Sequence, residues 1–187
     1  MGRPKAALPL RDRTDTFLSR IIRTLSEAGL PEIVVVTGST AGVVRAAAGR
    51  IDRRVRFAHN SDWESGQLSS LLVGLLLPPH QAVEAALVTL VDVPLVDIDT
   101  VRKVMGEWRL GGAPIVRPAN GNRHGHPVMF DRALFEALAA ADRTIGAKAV
   151  VRAHADAIRN VPVEDAGAFL DMDTDEEYRD ALRQLRD

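Results

Sequence analysis

The sequence predicts an α/β protein in which a mixed, mostly parallel sheet lies between two layers of helices. Apolar, β-branched runs alternate with segments of helical periodicity through the first half of the chain, which is the pattern of right-handed βαβ units. The run over residues 86–91 is nearly all apolar and ends at Asp92 and Pro94, as expected of a central parallel strand buried on both faces. A polar loop over residues 118–127 breaks the alternation and should add an antiparallel strand. We expect one domain over residues 1–187.

Each element follows from local signals, with helices that begin at small polar residues and end at glycine or proline. The first helix is predicted to begin at Thr14 or Asp15 and to end at Gly29, and the helix over residues 67–77 is predicted to end at Pro78 and Pro79. A later helix is predicted to begin at Asp97 or Asp99, and the last helix at Thr174. Strands are predicted over residues 32–37, 55–58, 86–92, 114–117, 128–130 and 158–163, with further helices after residue 40 and over about 131–141 and 146–155.

Composition excludes several classes of function. The chain has 24 basic and 25 acidic residues and a formal net charge of −1, which provides no overall field for nucleic acid or an anionic membrane. It has no cysteine, which excludes disulfides, thiolate nucleophiles and cysteine zinc sites and is compatible with a reducing cytoplasm. The apolar run over residues 71–77 is too short to span a bilayer. We therefore predict a cytoplasmic protein that binds neither nucleic acid nor membrane.

Asp92 is the first candidate for chemistry. It follows the most apolar run of the chain, so it is expected at the carboxyl edge of the sheet, where open α/β folds bind ligands. Pro94 cannot donate to a strand ladder, which keeps Asp92 at this rim. A carboxylate there suits Mg²⁺, which bridges proteins and substrate phosphates. The alternative is that Asp92 only caps a turn.

Two other segments could bind phosphate or a base. Lys5 lies in a short basic segment and could reach the phosphates of a nucleotide as a point charge, or it could belong to a solvated tail. Gly66, with Ser69 and Ser70 in the next helical turn, offers hydroxyl and N–H groups to an anion or a base edge. The alternative for these three residues is ordinary helix capping.

The second half of the chain adds a polar loop and an acidic pair. The loop over residues 121–127 contains Arg123, His124 and His126 and is long for a connection in a compact domain, which favours a role in substrate recognition. Asp171 and Asp173 alternate along the chain, so both can face one cation, or either can cap the last helix.

Several short motifs occur in the same order as in a known family. They are Gly2-Arg3-Pro4-Lys5 with Leu8-Pro9-Leu10, then Asn60, Trp63, Gly66, Ser69 and Ser70, then Asp92-Val93-Pro94, Gly125-His126-Pro127 and Asp171-Met172-Asp173-Thr174. With these motifs the chain resembles the MobA-like nucleotidyltransferases, especially the molybdenum cofactor cytidylyltransferase branch. The resemblance runs along the whole chain, and this shared order is more specific than any single motif. Gln67 and Val93 are mild departures from it.

The resemblance implies a Rossmann-like fold of the nucleotide-diphospho-sugar transferase type and a Mg²⁺-dependent transfer of a nucleoside monophosphate from an NTP to a phosphorylated acceptor, with release of pyrophosphate. It favours CTP as donor, molybdopterin cofactor as acceptor and a molybdoenzyme as partner, while related enzymes use GTP or sugar phosphates. The implied roles are Lys5 and Asp92 in catalysis, Lys5, Asn60, Gly66, Ser69 and Ser70 at the nucleotide, Gly125, His126 and Pro127 at the acceptor, and Asp92, Asp171 and Asp173 at the metal, with Asp171 favoured over Asp173 as second ligand.

The amino end departs most from the family pattern. The family's first central strand and most of its glycine-rich loop, about ten residues by ordinary strand and turn lengths, are missing before the match begins. We expect two neighbouring strands to lack a partner between them, and backbone N–H groups that would hold the triphosphate to be missing. Met1 is therefore interpreted as an internal methionine, and a nucleotide-binding module with impaired catalysis stays open as an alternative.

Overall fold

A computed structural model describes residues 4–12, 14–51, 53–77 and 83–184 of the chain. The motif residues Gly2 and Arg3 and the predicted helix stop at Pro78 and Pro79 lie outside these ranges. Within them, no helix combines the length and the apolar character needed to cross a membrane. The prediction of one domain over residues 1–187 stays a prediction.

The strands within the described residues form two sheets. They are β1 (Ile33–Thr37), β2 (Val55–His59), β3 (Ala85–Val88), β4 (Ile115–Asn120), β5 (Arg123–His124), β6 (Val128–Asp131) and β7 (Ile158–Pro162). β1 and β2 form a parallel pair, and the second sheet has the order β3-β6-β4-β5 with β7 also paired to β4. β3, β4 and β7 run in one direction, and β6 runs between β3 and β4 in the other.

These pairings confirm a mixed α/β sheet and the antiparallel strand predicted after residue 117. β6 is that strand, and the two-residue β5 before it was not predicted because neither of its residues is apolar. The carboxyl ends of β3 and β4 and the amino end of β6 meet at one edge of the sheet. Chain segments that leave β3 and enter β6 are therefore neighbours at this edge.

β3 corrects the prediction for residues 86–91. Among the described residues it pairs only with the antiparallel β6, ends at Val88 and is half-buried along its length, so it is not a strand buried on both faces between parallel neighbours. The pairing stops there because Val88 faces Val128, the first residue of β6. Asp92 consequently lies beyond the strand end, and the ladder is over before Pro94 can interrupt it.

The helices lie where helical periodicity predicts them. They are α1 (Phe17–Ala28), α2 (Ala41–Ala47), α3 (Gln67–Leu75), α4 (Ile98–Arg109), α5 (Phe135–Ala139), α6 (Ala147–Ala153) and α7 (Asp175–Gln184). α1 ends as predicted at Gly29, with φ of 96°, but its cap is Thr16 and not Thr14 or Asp15. The Thr16 hydroxyl accepts from the Ser19 N–H and also donates to the Ala47 carbonyl.

Helices cover both faces of the larger sheet, as the three-layer prediction requires. On one face, Ile115 and Phe130 pack against Leu138 of α5 and Val150 of α6. On the other face, β4 and β6 pack against α4. β1 and β2 share a further core with α1 and α4. Because the apolar residues of the strands pack against the helices on both faces, the residues beyond the strand ends are the ones left at the sheet edges.

Asp15 does not cap α1 because its carboxylate binds two arginines of that helix. Its oxygens lie 2.6 Å from Arg20 Nη2 and 3.0 Å from Arg23 Nη2, and the residue is 8% exposed. Burial alone would raise the pKa of Asp15, but hydrogen bonds from Arg20 and Arg23 and their charges hold it below its ordinary value. The pairing therefore stabilises the turn before α1.

Asp15→Asn is expected to lower the free energy of unfolding by about 2 kcal/mol at neutral pH, because charge-assisted hydrogen bonds are lost at a buried site. Since the folded-state pKa is lowered, this stabilisation is present above the unfolded-state pKa and is lost as the pH falls through the folded one. Urea unfolding at pH 7 and at pH 3 measures both effects. Asp99→Asn is the control: this side chain is 82% exposed beside Arg102, so its loss should stay under about 1 kcal/mol. Equal losses in the two variants would contradict the assignment.

Candidate active site

Lys5 joins two distant acidic residues at the edge of the larger sheet. Its Nζ lies 3.1 Å from Asp92 Oδ2 and 2.5 Å from Asp173 Oδ1. Burial alone would lower the pKa of Lys5, but the hydrogen bonds with Asp173 and Asp92 and their charges raise it above its ordinary value. The ammonium group is thus a cation held between two carboxylates, and the structure brings together three of the predicted site residues.

Backbone contacts hold the two acidic segments side by side. The Met172 N–H donates to the Asp92 carbonyl oxygen at 2.9 Å, and the Met172 side chain is fully buried. After it, Thr174 and Glu177 form the predicted cap of α7: Glu177 Oε2 accepts from the Thr174 N–H at 2.8 Å, and the Thr174 hydroxyl accepts from the Glu177 N–H at 3.2 Å. The acidic segment is therefore fixed on both sides of Asp173.

The two carboxylates beside Met172 face different groups. Asp173 binds Lys5, whereas Asp171 acts electrostatically on His126. The sequence favoured Asp171 as a second metal ligand, and the contacts place Asp173 closer to the Lys5 and Asp92 pair. Both remain candidate ligands, with Asp173 favoured by this geometry.

Strand register brings His126 to the same edge. Val128 faces Val88, so the residues that precede β6 lie beside the chain that leaves β3, and the bond between His126 and Pro127 is cis. Burial lowers the pKa of His126, while the Val88 backbone and the charges of Asp171 and Asp92 act in the opposite direction. The net lowering keeps the imidazole neutral at pH 7.

Gly125 allows the loop before β6 to approach the turn over residues 166–169. The His126 N–H donates to the Ala168 carbonyl at 2.9 Å, and a Cβ at Gly125 would lie 2.1 Å from the Ala168 oxygen. Gly167 in the same turn has a similar constraint, since its Cβ would lie 2.1 Å from the Leu95 oxygen. The turn is thus packed between the two segments that carry His126 and Asp92.

Gly125→Ala is expected to destabilise the fold by at least about 2 kcal/mol, because the new methyl group meets backbone atoms that cannot rotate away. It should also displace His126. Gly106→Ala is the matched control, because a Cβ there has no neighbour within 4 Å and the change removes a glycine from α4, which should stabilise by up to about 1 kcal/mol. Thermal unfolding of both variants tests this. A Gly125→Ala protein as stable as the wild type would show that the turn shifts freely.

Three buried polar atoms at this edge have no hydrogen-bond partner: Thr89 Oγ1, Asp92 Oδ1 and His126 Nδ1. Buried polar groups are nearly always paired in folded proteins, so unpaired ones need an explanation such as an absent ligand or ion. A free carboxylate oxygen at Asp92, with a second carboxylate across Lys5, is the donor chemistry that hard divalent cations bind. The described residues include no group of three or more acidic, histidine or cysteine side chains in metal-binding proximity. The donor set therefore fits a metal that takes its other ligands from a substrate or water.

Asn60 and Ser69 are fully engaged in holding the loop before α3. Asn60 Nδ2 donates to the hydroxyls of Ser69 at 2.8 Å and Ser70 at 3.0 Å, and its Oδ1 accepts from the Asp62 N–H at 2.9 Å. The Ser69 hydroxyl donates to the carbonyls of Asp62 and Gly66. Asn60 is 2% exposed and Ser69 is 7% exposed. These contacts give Asn60 and Ser69 a positioning role, and nucleotide contact by this segment stays a prediction.

Sequence reasoning missed two residues that contact or belong to the segments of predicted ones. Thr89 is the one hydroxyl in the apolar run before Asp92, and that contrast could have indicated it. Arg143, between α5 and α6, lies 2.9 Å from Asp62 Oδ2. No local pattern around Arg143 could have placed it there, because the contact depends on how the turn after α5 meets the loop before α3.

A mixed α/β sheet with Asp92 beyond the carboxyl end of β3, beside Lys5 and Asp173, is an arrangement suited to phosphate groups. Residues 1–158 match the family model described as MobA-like NTP transferase domain. The chain belongs to this family of nucleotidyltransferases, which confirms the resemblance drawn from the motifs. No curated protein matches the chain.

Solved structures with this fold include proteins from mycobacteria and archaea. The crystal structure of Rv0371c from Mycobacterium tuberculosis H37Rv is 27% identical, with a TM-score of 0.81 over 98% of this chain and 91% of that one. A second structure of Rv0371c, a complex with manganese, is 28% identical, with a TM-score of 0.75 over 97% and 93%. Molybdopterin-guanine dinucleotide biosynthesis protein A from Archaeoglobus fulgidus is 13% identical, with a TM-score of 0.70 over 99% and 92%, and shows the fold alone.

Proposed function

We propose that the protein transfers a nucleoside monophosphate from an NTP to a phosphorylated acceptor and releases pyrophosphate, with CTP as donor and molybdopterin cofactor as acceptor. The observation that carries the proposal is the Lys5 ammonium group between Asp92 and Asp173, beside the unpaired Asp92 Oδ1. An ammonium group beside carboxylates that would hold a divalent cation places two positive charges where they would neutralise a triphosphate. Membership in the NTP transferase family supports this use of the site.

Asp92 and Asp173, with Asp171 as the alternative to Asp173, are the residues that would hold a divalent cation, which we propose is Mg²⁺. When bound, such an ion neutralises the charge that develops on phosphate oxygens. The manganese complex of Rv0371c supports a divalent metal in a similar protein. In this chain the oxygen that would accept the ion is the buried, unpaired Oδ1 of Asp92.

The reaction needs alignment more than proton transfer. An acceptor phosphate oxygen attacks the α-phosphorus, the bond from that phosphorus to the β-phosphate oxygen breaks, and pyrophosphate leaves with the electron pair. Because the attacking oxygen is already an anion, no general base is required. Lys5 would stabilise the phosphates, and the neutral His126, with Gly125 and Pro127, would bind the acceptor. Asn60, Gly66, Ser69 and Ser70 would position the nucleotide. A molybdoenzyme that receives the product would be the partner.

Calorimetry with CTP, GTP and ATP in the presence of Mg²⁺ or Mn²⁺ tests the donor, and pyrophosphate release with molybdopterin cofactor or a sugar phosphate tests the acceptor. The proposal expects the tightest binding with CTP and release only with molybdopterin cofactor. Release with a sugar phosphate or with GTP would move the protein to another branch of the family. Nucleotide binding without any release would identify a binding module with impaired catalysis, and no binding of any NTP would overturn the proposal.

A further inference from the structure

Arg117 lies near the carboxyl end of β4, on the sheet face covered by α5 and α6. Ile115, on the same face of the strand, packs in the cluster of Phe130 and Leu138, and side chains alternate along a strand. In the register of β4 and β7, Asn160 faces Arg117, and Arg117 Nε donates to Asn160 Oδ1 at 2.9 Å. Arg117 is half-buried, whereas Ile115 is fully buried. The guanidinium group thus stands where the covered core ends.

Arg117 has a neutral partner at a position where a charge is partly desolvated. No carboxylate within the described ranges forms an ion pair with it, and burial lowers the pKa of Arg117. Several other arginines of the described residues pair with carboxylates, namely Arg20, Arg23, Arg56, Arg102, Arg143, Arg159 and Arg183, whereas Arg45 and Arg123 lie over aromatic rings. A partly desolvated charge without a counter-charge costs some free energy. An anion from outside the chain would offset that cost.

His124 is a second basic side chain on the same face. It faces Ala119 in the antiparallel pair of β4 and β5, and opposite residues of such a pair project on one side, which for Ala119 is the side of Arg117. Burial and the charge of Arg117 lower the pKa of His124. The charges of Asp171 and Asp92 act on His126, whereas the charge that acts on His124 is that of Arg117. Arg117 and His124 are therefore two basic groups on one face of the sheet, and the charge of Arg117 acts on His124.

We infer that Arg117 and His124 form a subsite for an oxyanion of the acceptor, separate from the acceptor phosphate that reacts. The inference rests on the proposed function, because it gives the acceptor a second contact at the sheet edge that holds Asp92 and His126. β6 lies between β3 and β4, so the subsite is about two strand spacings, roughly 10 Å, from the end of β3. The acceptor therefore carries a second anionic group besides the phosphate that reacts. A guanidinium group binds phosphate or carboxylate with two parallel hydrogen bonds, which suits this role.

The test follows the His124 ring signals by NMR while the wild-type protein is titrated with sodium phosphate, sodium acetate or sodium chloride at equal ionic strength. We expect a saturable shift of the His124 signals and a rise in its pKa with one or both oxyanions but not with chloride. If phosphate gives the stronger response, the group of the acceptor at this subsite is a phosphate; if acetate does, the group is a carboxylate. His124→Gln assigns the signals. Arg117→Gln should weaken the oxyanion response at least tenfold.

Arg159→Gln is the matched control. Arg159 lies on β7, the strand that pairs with the β4 strand of Arg117. Because Arg159 pairs with Glu107 of α4 at 3.5 Å, its loss should leave the response of His124 unchanged. A response no greater than that with chloride overturns the inference on the wild-type protein alone, whatever the folding of the variants. Equal weakening in both variants also overturns it.

Binding of CTP with Mn²⁺, measured on the same samples, separates this inference from the proposed function. Nucleotide binding without a His124 response overturns the subsite and leaves the proposed function in place. A His124 response without binding of any NTP overturns the proposed function and, with it, the assignment of the oxyanion to an acceptor.

Discussion

Asp92→Asn should abolish metal-dependent binding of nucleoside triphosphate and leave the fold intact. The substitution keeps the shape of the side chain but removes its charge, so Oδ1 no longer attracts a divalent cation and Lys5 loses one of its two carboxylates. The fold should survive because Met172 is held by the Asp92 backbone carbonyl and not by its side chain. We expect transfer to fall by about 10²–10³-fold or more, the range for loss of one group that stabilises charge in a transition state.

Calorimetry with Mn²⁺ and each of CTP, GTP and ATP measures the loss, and circular dichroism verifies the fold. Asp97→Asn is the matched control on the same segment, since the Asp97 side chain makes no capping hydrogen bond to α4. Burial, with the charges of Asp165 and Asp99, raises the pKa of Asp97, so its amide should be well tolerated. Unchanged affinity of Asp92→Asn for all three nucleotides would refute a metal role for Asp92.

The part of the site that sequence could predict is the part that short motifs mark. An apolar run that ends in Asp92, a Gly-His-Pro loop before β6 and an acidic segment before α7 are each visible in the sequence. The closeness of Lys5 to Asp92 follows from the family resemblance, which implies that both act on the same phosphates, and their side chains lie 3.1 Å apart. The sheet edge predicts the place of Asp92 alone, because Lys5 lies in a short 3-10 turn over residues 5–7. The roles assigned to these residues stay predictions.

The part that could not be predicted depends on register and on tertiary competition. Neither the antiparallel pairing of β3 nor the contact of Arg117 with Asn160 can be derived without the alignment of β6 and β7 on their neighbours. At the start of α1, Thr14, Asp15 and Thr16 are all capping residue types. Thr16 is the cap because α1 supplies two arginines to Asp15 and α2 supplies the Ala47 carbonyl to Thr16. Which of these residues caps the helix is therefore determined by contacts with distant parts of the chain.

Lys5→Gln is expected to have opposite effects on the metal alone and on the metal with nucleotide. In the free protein the Lys5 ammonium lies against both Asp92 and Asp173, where it competes with a divalent cation for the same carboxylates. Removing its charge should tighten Mn²⁺ binding about five- to tenfold in the absence of nucleotide, since a nearby like charge is removed. Once a triphosphate is present, the same ammonium group is an attractive contact, so nucleotide affinity and transfer should fall by about 10²-fold.

Titration of Mn²⁺ by electron paramagnetic resonance, with and without CTP, measures the two effects on one sample. Lys103→Gln removes an exposed lysine of α4 and should change neither. The raised pKa of Lys5 also predicts a pH dependence of stability. The contribution of Lys5 to folding stability is present below its unfolded-state pKa and is lost as the pH rises through its folded-state pKa. Lys5→Gln should therefore unfold more easily than the wild type at neutral pH and match it at strongly alkaline pH. Weaker Mn²⁺ binding without nucleotide would mean that Lys5 supports the metal and does not compete with it. Asp92 would then still be a metal ligand, but the metal would not displace Lys5 from it.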